Sequence, residues 1–204
     1  MKNQFNTIPE ILEDIKLGKI VIILDDVDRE NEGDFVMASD FVTSEAINFM
    51  AHHGRGLICT PIDQSIAERL GLSLMVSENE GGEHTAFTVS IDAKKNIATG
   101  ISVKDRAHTI ALMMDKNSSS NDFQRPGHVF PIIAKKGGVL ERRGHTEAAV
   151  DLAKLCGLNP SGVLCEILKA DGGMARGDEL FAVAQQFNLK IGTIADLVLY
   201  LKKK

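Results

Sequence analysis

Residues Ile20-Val21-Ile22-Ile23-Leu24 form an uninterrupted apolar run in which every residue but the last is β-branched. Such a run suits a strand covered on both faces, since a strand with one wet face alternates apolar and polar side chains. A doubly covered strand needs other strands beside it and helices above and below it, so this segment alone asks for a layered domain. The residues before it agree. Ile8, Ile11, Leu12 and Ile15 recur at helical spacing behind Thr7 as a cap, and Gly18 offers a stop.

The remaining chain repeats the theme. Short β-branched or aromatic stretches predict strands at 35–38, 56–60, 85–91, 128–134 and 162–168. Helical spacing, several times behind a Ser, Thr or Asp, predicts helices at 43–53, 63–70, 102–114, 146–156, 178–187 and 193–201. The expectation is one α+β domain of mixed α/β layers covering residues 1–204. Segments 77–84 and 117–122 have loop composition and read as surface connections, with a mobile lid as the alternative.

Composition narrows the function classes. No apolar run approaches the ~20 residues that span a bilayer, and the start lacks the pattern of a secretory signal, so a soluble cytoplasmic protein is expected. Cys59, Cys156 and Cys165 are too few and too far apart for a disulfide framework or a zinc knuckle. A net charge of −5 opposes nucleic-acid binding, and the basic run Lys202-Lys203-Lys204 reads as a solvated tail.

The apolar run leads into Asp25-Asp26-Val27-Asp28-Arg29-Glu30-Asn31-Glu32-Gly33-Asp34. If this segment continues extended, Asp26, Asp28, Glu30, Glu32 and Asp34 share one face. Carboxylates so gathered repel unless water screens them or a hard divalent cation such as Mg²⁺ or Mn²⁺ lies among them. Because the segment leaves the end of a buried strand and carries Arg29 as an anion-holding group, the cation reading is preferred to a solvated acidic turn. An EF-hand loop is excluded, since Ser39 stands where the bidentate Glu belongs.

A second segment, Glu141-Arg142-Arg143-Gly144-His145-Thr146, passes from a loop into an amphipathic helix. Free N–H groups and the positive end of the dipole make such a start a phosphate cradle, to which Gly144 gives close approach, Thr146 a hydroxyl and Arg142 or Arg143 charge. An ordinary basic loop remains the alternative. His145 is placed to complete a carboxylate metal site. His128, behind a Pro-Gly turn, suits proton transfer near neutral pH. Glu166, a carboxylate in the apolar stretch 163–168, needs a partner or a raised pKa. Cys59 reads as a small buried hydrophobe, and His52, His53, His84 and His108 as structural.

Taken in order, Asp26-Val27-Asp28-Arg29-Glu30-Asn31-Glu32-Gly33-Asp34, Arg125-Pro126-Gly127-His128-Val129-Phe130-Pro131, Arg143-Gly144-His145-Thr146-Glu147-Ala148 and Gly162-Val163-Leu164-Cys165-Glu166 resemble the signatures of the 3,4-dihydroxy-2-butanone-4-phosphate synthase family across nearly the whole chain. The resemblance implies a homodimer with active sites at the subunit interface and a pair of divalent ions in each, Mg²⁺ or Mn²⁺. It implies conversion of D-ribulose 5-phosphate to L-3,4-dihydroxy-2-butanone 4-phosphate and formate, an early step of riboflavin biosynthesis. By motif position Glu30 bridges both metals and His145 ligates one. Arg29, Glu30, Asp34, Arg142, Arg143, Gly144, His145, Thr146 and Glu166 contact substrate, His128 and Glu166 transfer protons, and Glu32 and Cys59 line the pocket. Some relatives continue into a GTP cyclohydrolase domain; a chain ending at Lys204 is expected to be the monofunctional form.

Overall fold

The computed structural model describes residues 4–82 and 84–204; Met1, Lys2, Asn3 and Glu83, which enter the readings of the start of the chain and of the 77–84 loop, lie outside them. Helix α1 (Ile8–Lys16) begins where Thr7 donates its backbone N–H and its hydroxyl to the Glu10 carboxylate, each at 2.7 Å, with Pro9 in the first turn. It buries Ile8, Ile11, Leu12 and Ile15. Strand β1 (Val21–Leu24) follows, buried at every position. Next come β2 (Gly33–Ala38), α2 (Ser44–Phe49), a π-helical turn (Met50–Gly54), β3 (Cys59–Ile62) and α3 (Gln64–Leu70). The chain continues through β4 (Ile91–Ala93), α4 (Val103–Met114), β5 (Phe123–Ile133), α5 (His145–Leu155) and β6 (Gly162–Glu166), and closes with α6 (Asp178–Phe187), β7 (Ile191–Thr193) and α7 (Ile194–Leu201).

The strands form one mixed sheet in the order β4-β5-β3-β6-β2-β1-β7. β1 runs parallel to β7 and β3 to β5, while the other neighbours are antiparallel. Alternation along each strand divides the core in two. Ile22, Leu24, Phe35, Met37, Val163 and Cys165 pack with Ile47, Ile66, Ile110 and Leu180 of α2, α3, α4 and α6. Val21, Ile23, Val36, Ala38 and Leu164 pack with Ile11, Leu152 and Leu197 of α1, α5 and α7. The sheet is therefore covered on both sides, as the unbroken apolar run requires, and each large side chain so buried contributes roughly 1.5–3 kcal/mol.

Several expectations shift. The strand at 56–60 begins only at Cys59, because the π-turn ends with Arg55 left-handed (φ 66°) and residues 55–58 bring the chain back to the sheet. Of 85–91 only Ile91 belongs to a strand; Phe87 and Thr88 make isolated bridges. Strand β5 starts earlier than 128. β7 is three residues immediately before α7, whose cap is Thr193, and helical spacing hides so short a strand. The acidic segment does not run on extended: residues 25–32 fold into a turn between β1 and β2.

Candidate active site

At one end of the sheet the C-terminal ends of β1 and β6 meet the N-terminal ends of β2 and β3. A cavity of about 210 Å³ opens there, lined by Arg29, Glu30, Glu32, Asp34, Cys59, Thr85, Phe87, Ile132, Arg142, His145, Thr146, Leu164 and Glu166.

The acidic wall is organised by Asp25. Its buried carboxylate accepts from the Glu32 backbone N–H at 2.8 Å, the Glu30 N–H at 3.1 Å and Arg29 Nη1 at 2.8 Å. One side chain thus substitutes for the ladder partners of a whole turn, and Asn31, left-handed at φ 54°, completes the reversal. This corrects the single-face reading. Asp28 is exposed and Asp26 faces the Arg143 guanidinium at 3.3 Å, whereas Arg29, Glu30, Glu32 and Asp34 reach the cavity. Arg29 also pairs with Glu30 itself.

Asp34 sits opposite Glu166 in the β2–β6 ladder and is only 3% exposed. Burial, reinforced by the negative charges of Glu166, Glu32, Glu30 and Asp25, holds its carboxyl well above the usual range, and its Oδ1 has no hydrogen-bond partner. Glu32 and Glu166 are raised too, burial being the first cause in each. Glu166 keeps one fixed bond, from the Leu57 N–H to its Oε2 at 2.8 Å. That approach requires Gly56, where a Cβ would lie 2.7 Å from the Glu166 carbonyl oxygen and 2.8 Å from its Cβ.

His145 opens α5 and is buried beneath β1, its Nε2 3.1 Å from the Ile23 carbonyl oxygen. A carbonyl only accepts, so Nε2 carries the proton and Nδ1, 3.8 Å from Asp34 Oδ2, keeps its lone pair. Burial pushes the imidazole down to about 4, which leaves it neutral at physiological pH. Asp25, Glu30 and His145 each offer a ligand atom within 4.8 Å of the others. Asp25 is already engaged by three donors, so of these three residues Glu30 and His145 are the candidate ligands for a cation, and Asp34 Oδ2 lies 3.8 Å from His145 Nδ1. An orphaned buried carboxylate oxygen, crowded carboxylates with raised pKa values and a neutral imidazole fit a divalent cation.

The same cavity also carries groups suited to an anion. Gly144 caps α5 without a side-chain bond, so the first-turn N–H groups point outward beside the Thr146 hydroxyl. The Arg142 guanidinium is braced by Glu147 Oε2 at 2.7 Å and the Thr85 hydroxyl at 3.1 Å. Arg143 lies outside the lining, on Asp26. Cys59 lines the cavity as the first residue of β3, and burial drives its thiol far up, so it acts as a small hydrophobe there. His128 does not line the cavity; it stands on β5 against Asp92.

Sequence reasoning missed Asp25, Gly56, Asp92 and Glu147. The signal for Asp25 and Glu147 was a carboxylate beside backbone N–H groups at a turn and at a helix start, visible only once those turns are placed.

Comparison with known proteins identifies the family. The family model described as 3,4-dihydroxy-2-butanone 4-phosphate synthase matches residues 9–200. A riboflavin biosynthesis protein RibBA from Bacillus mycoides is 57% identical over 196 residues, 96% of this chain and 49% of that protein; the chain spans about half the length of the curated relatives it matches. Among solved structures, a 3,4-dihydroxy-2-butanone 4-phosphate synthase in complex with two magnesium ions superposes with a TM-score of 0.95 at 41% identity, covering 98% of both chains. A two-domain synthase from A. baumannii, RibBX, gives 0.92 at 48% identity over 96% of this chain and 57% of that one. Matched along almost its entire length in both sequence and fold, the chain belongs to the 3,4-dihydroxy-2-butanone 4-phosphate synthase family.

Proposed function

We propose that the chain is a divalent-metal-dependent carbon–carbon lyase that converts D-ribulose 5-phosphate to L-3,4-dihydroxy-2-butanone 4-phosphate and formate in riboflavin biosynthesis, acting in the cytoplasm. The observation that carries this reading is the meeting of Glu30, Asp34 and His145, from three separate elements, in one cavity with Arg142 and Thr146. Carboxylates sharing a cavity with an anion cradle suit a ligand with a phosphate at one end and vicinal oxygens at the other.

Arg142, Thr146 and the first turn of α5 hold the phosphate, which fixes the sugar's direction. Glu30 and His145 hold Mg²⁺, or Mn²⁺ in its place, with Asp34 close to His145. When bound, the cation supplies Lewis-acid polarisation of the substrate carbonyl and hydroxyl groups. Glu166, raised toward neutrality by burial, takes and returns protons at the substrate carbons while the Leu57 N–H keeps it oriented. His128 does not line its own chain's cavity. It serves as the second proton-transfer group if two copies associate with the cavity at their interface, so the working unit is a homodimer. No described helix is long and apolar enough to cross a membrane.

The test is formate release from ribulose 5-phosphate. Formate should form with Mg²⁺, stop with EDTA and return with excess Mg²⁺ or Mn²⁺. No formate with any divalent ion overturns the proposal.

A further inference from the structure

Strands β4 and β5 do not pair evenly. Ile91 lies opposite Val129, but the next residue, Asp92, lies opposite Gln124, so residues 125–128 bulge from the ladder. Bulges of this kind re-aim a side chain and recur beside active sites. This one is held at its base. Ser90 Oγ accepts the Gly127 N–H at 3.1 Å, and Asp92 meets His128 twice: its Oδ1 accepts the backbone N–H at 2.9 Å and its Oδ2 lies 2.7 Å from the ring Nδ1. The Asp92 side chain is 2% exposed, while that of His128 is 42% exposed. Gly100, at φ +91°, covers the contact so closely that a Cβ there would lie 2.7 Å from His128 Nδ1.

From this arrangement we infer that Asp92 is a positioning residue that fixes His128 as the Nδ1–H tautomer and turns the Nε2 lone pair outward as the proton-accepting atom. An ionised carboxylate only accepts, so the ring nitrogen facing it has to be the donor. Because the same carboxylate also holds the backbone of His128, ring direction and tautomer are set together. Bulge, carboxylate and overlying glycine thus convert a half-exposed histidine into one oriented base. The inference deepens the proposed function and rests on His128 transferring protons there.

Asp92→Asn tests it with little change in shape. The His128 backbone N–H can be met only by the amide oxygen, so the amide NH₂ has to face Nδ1 and drives the ring to the Nε2–H form. Long-range ¹H–¹⁵N correlation spectra of the ¹⁵N-labelled full chain distinguish the two tautomers, and comparison with His128→Ala assigns the signal. The wild type should show His128 as Nδ1–H. Asp92→Asn should show Nε2–H and lose about 100-fold or more in kcat for formate release, with KM changed less than about threefold. An Nε2–H tautomer in the wild type overturns the inference without any variant, as does an Asp92→Asn protein that keeps Nδ1–H, or one that keeps its kcat while His128→Ala loses turnover. If His128→Ala turns over normally while the tautomer switches as described, the role given to His128 in the reaction fails and the positioning by Asp92 stands.

Discussion

Replacing Asp34 by Asn should make the cation-free protein more stable and the enzyme inactive. Asp34 is 3% exposed, its Oδ1 has no partner, and four other carboxylates contribute to holding its pKa up. A buried acceptor left unmet costs about 1–3 kcal/mol, and an amide removes the charge while offering N–H donors to Glu166 and Glu32. For a chain of this size each kcal/mol moves the melting temperature by about 2–4 °C, so Asp34→Asn should melt roughly 2–12 °C higher in EDTA at pH 8. The sign follows from linkage. A carboxyl whose folded pKa is raised costs nothing while both states are protonated and removes stability as pH climbs from its ordinary value of 3.8 through the raised one. Asn does not titrate, so the gap should widen from pH 5 to pH 8. Thermal melts by circular dichroism at both pH values, with formate release in Mg²⁺, provide the readout. A variant that melts below the wild type at pH 8 without metal, or keeps its turnover, would refute the reasoning.

Mg²⁺ should raise the melting temperature at pH 8 by about 5–10 °C at 100 times its Kd, and by less than half of that at pH 5.5. A nearby cation favours the ionised forms of Asp34, Glu32 and Glu166, whose raised carboxyls then release protons, while His145, held near 4, stays neutral at both pH values. Equal shifts at the two pH values would contradict this. Arg142→Ala should raise KM for ribulose 5-phosphate about tenfold or more, and Arg143→Ala less than about threefold, because of these two arginines Arg142 alone lines the cavity; steady-state kinetics showing the reverse order would move the phosphate site. Gly56→Ala should cost about 1–3 kcal/mol of stability by overpacking against Glu166 and lower kcat more than KM, whereas Leu57→Ala, which keeps the N–H, should do neither. Melts and kinetics of the pair measure the difference.

The layered fold was legible because its cause is local. Val21 to Leu24 and the helix spacing of Ile8, Ile11, Leu12 and Ile15 each state which faces are covered. β7 was not, since Ile191-Gly192-Thr193 owes its strand character to pairing with β1, a tertiary fact. The candidate residues Glu30, Asp34, His145 and Thr146 were legible as types in segments, and all four line one cavity. Their arrangement was not, because alternation assumes an extended chain and Asp25 makes a turn instead. Arg142 and Arg143 were indistinguishable in sequence. Only Glu147 and Thr85 on one side and Asp26 on the other separate them. Asp92 escaped notice because a buried Asp in a three-residue strand signals nothing until the bulge opposite it is seen.

Crystals grown with Mn²⁺ and measured for anomalous scattering bear on the metal centre directly. The account requires a peak about 2.0–2.4 Å from both a Glu30 carboxylate oxygen and His145 Nδ1. Saturating Mn²⁺ that settles elsewhere, leaving Glu30 and His145 without a shared ion, would contradict it.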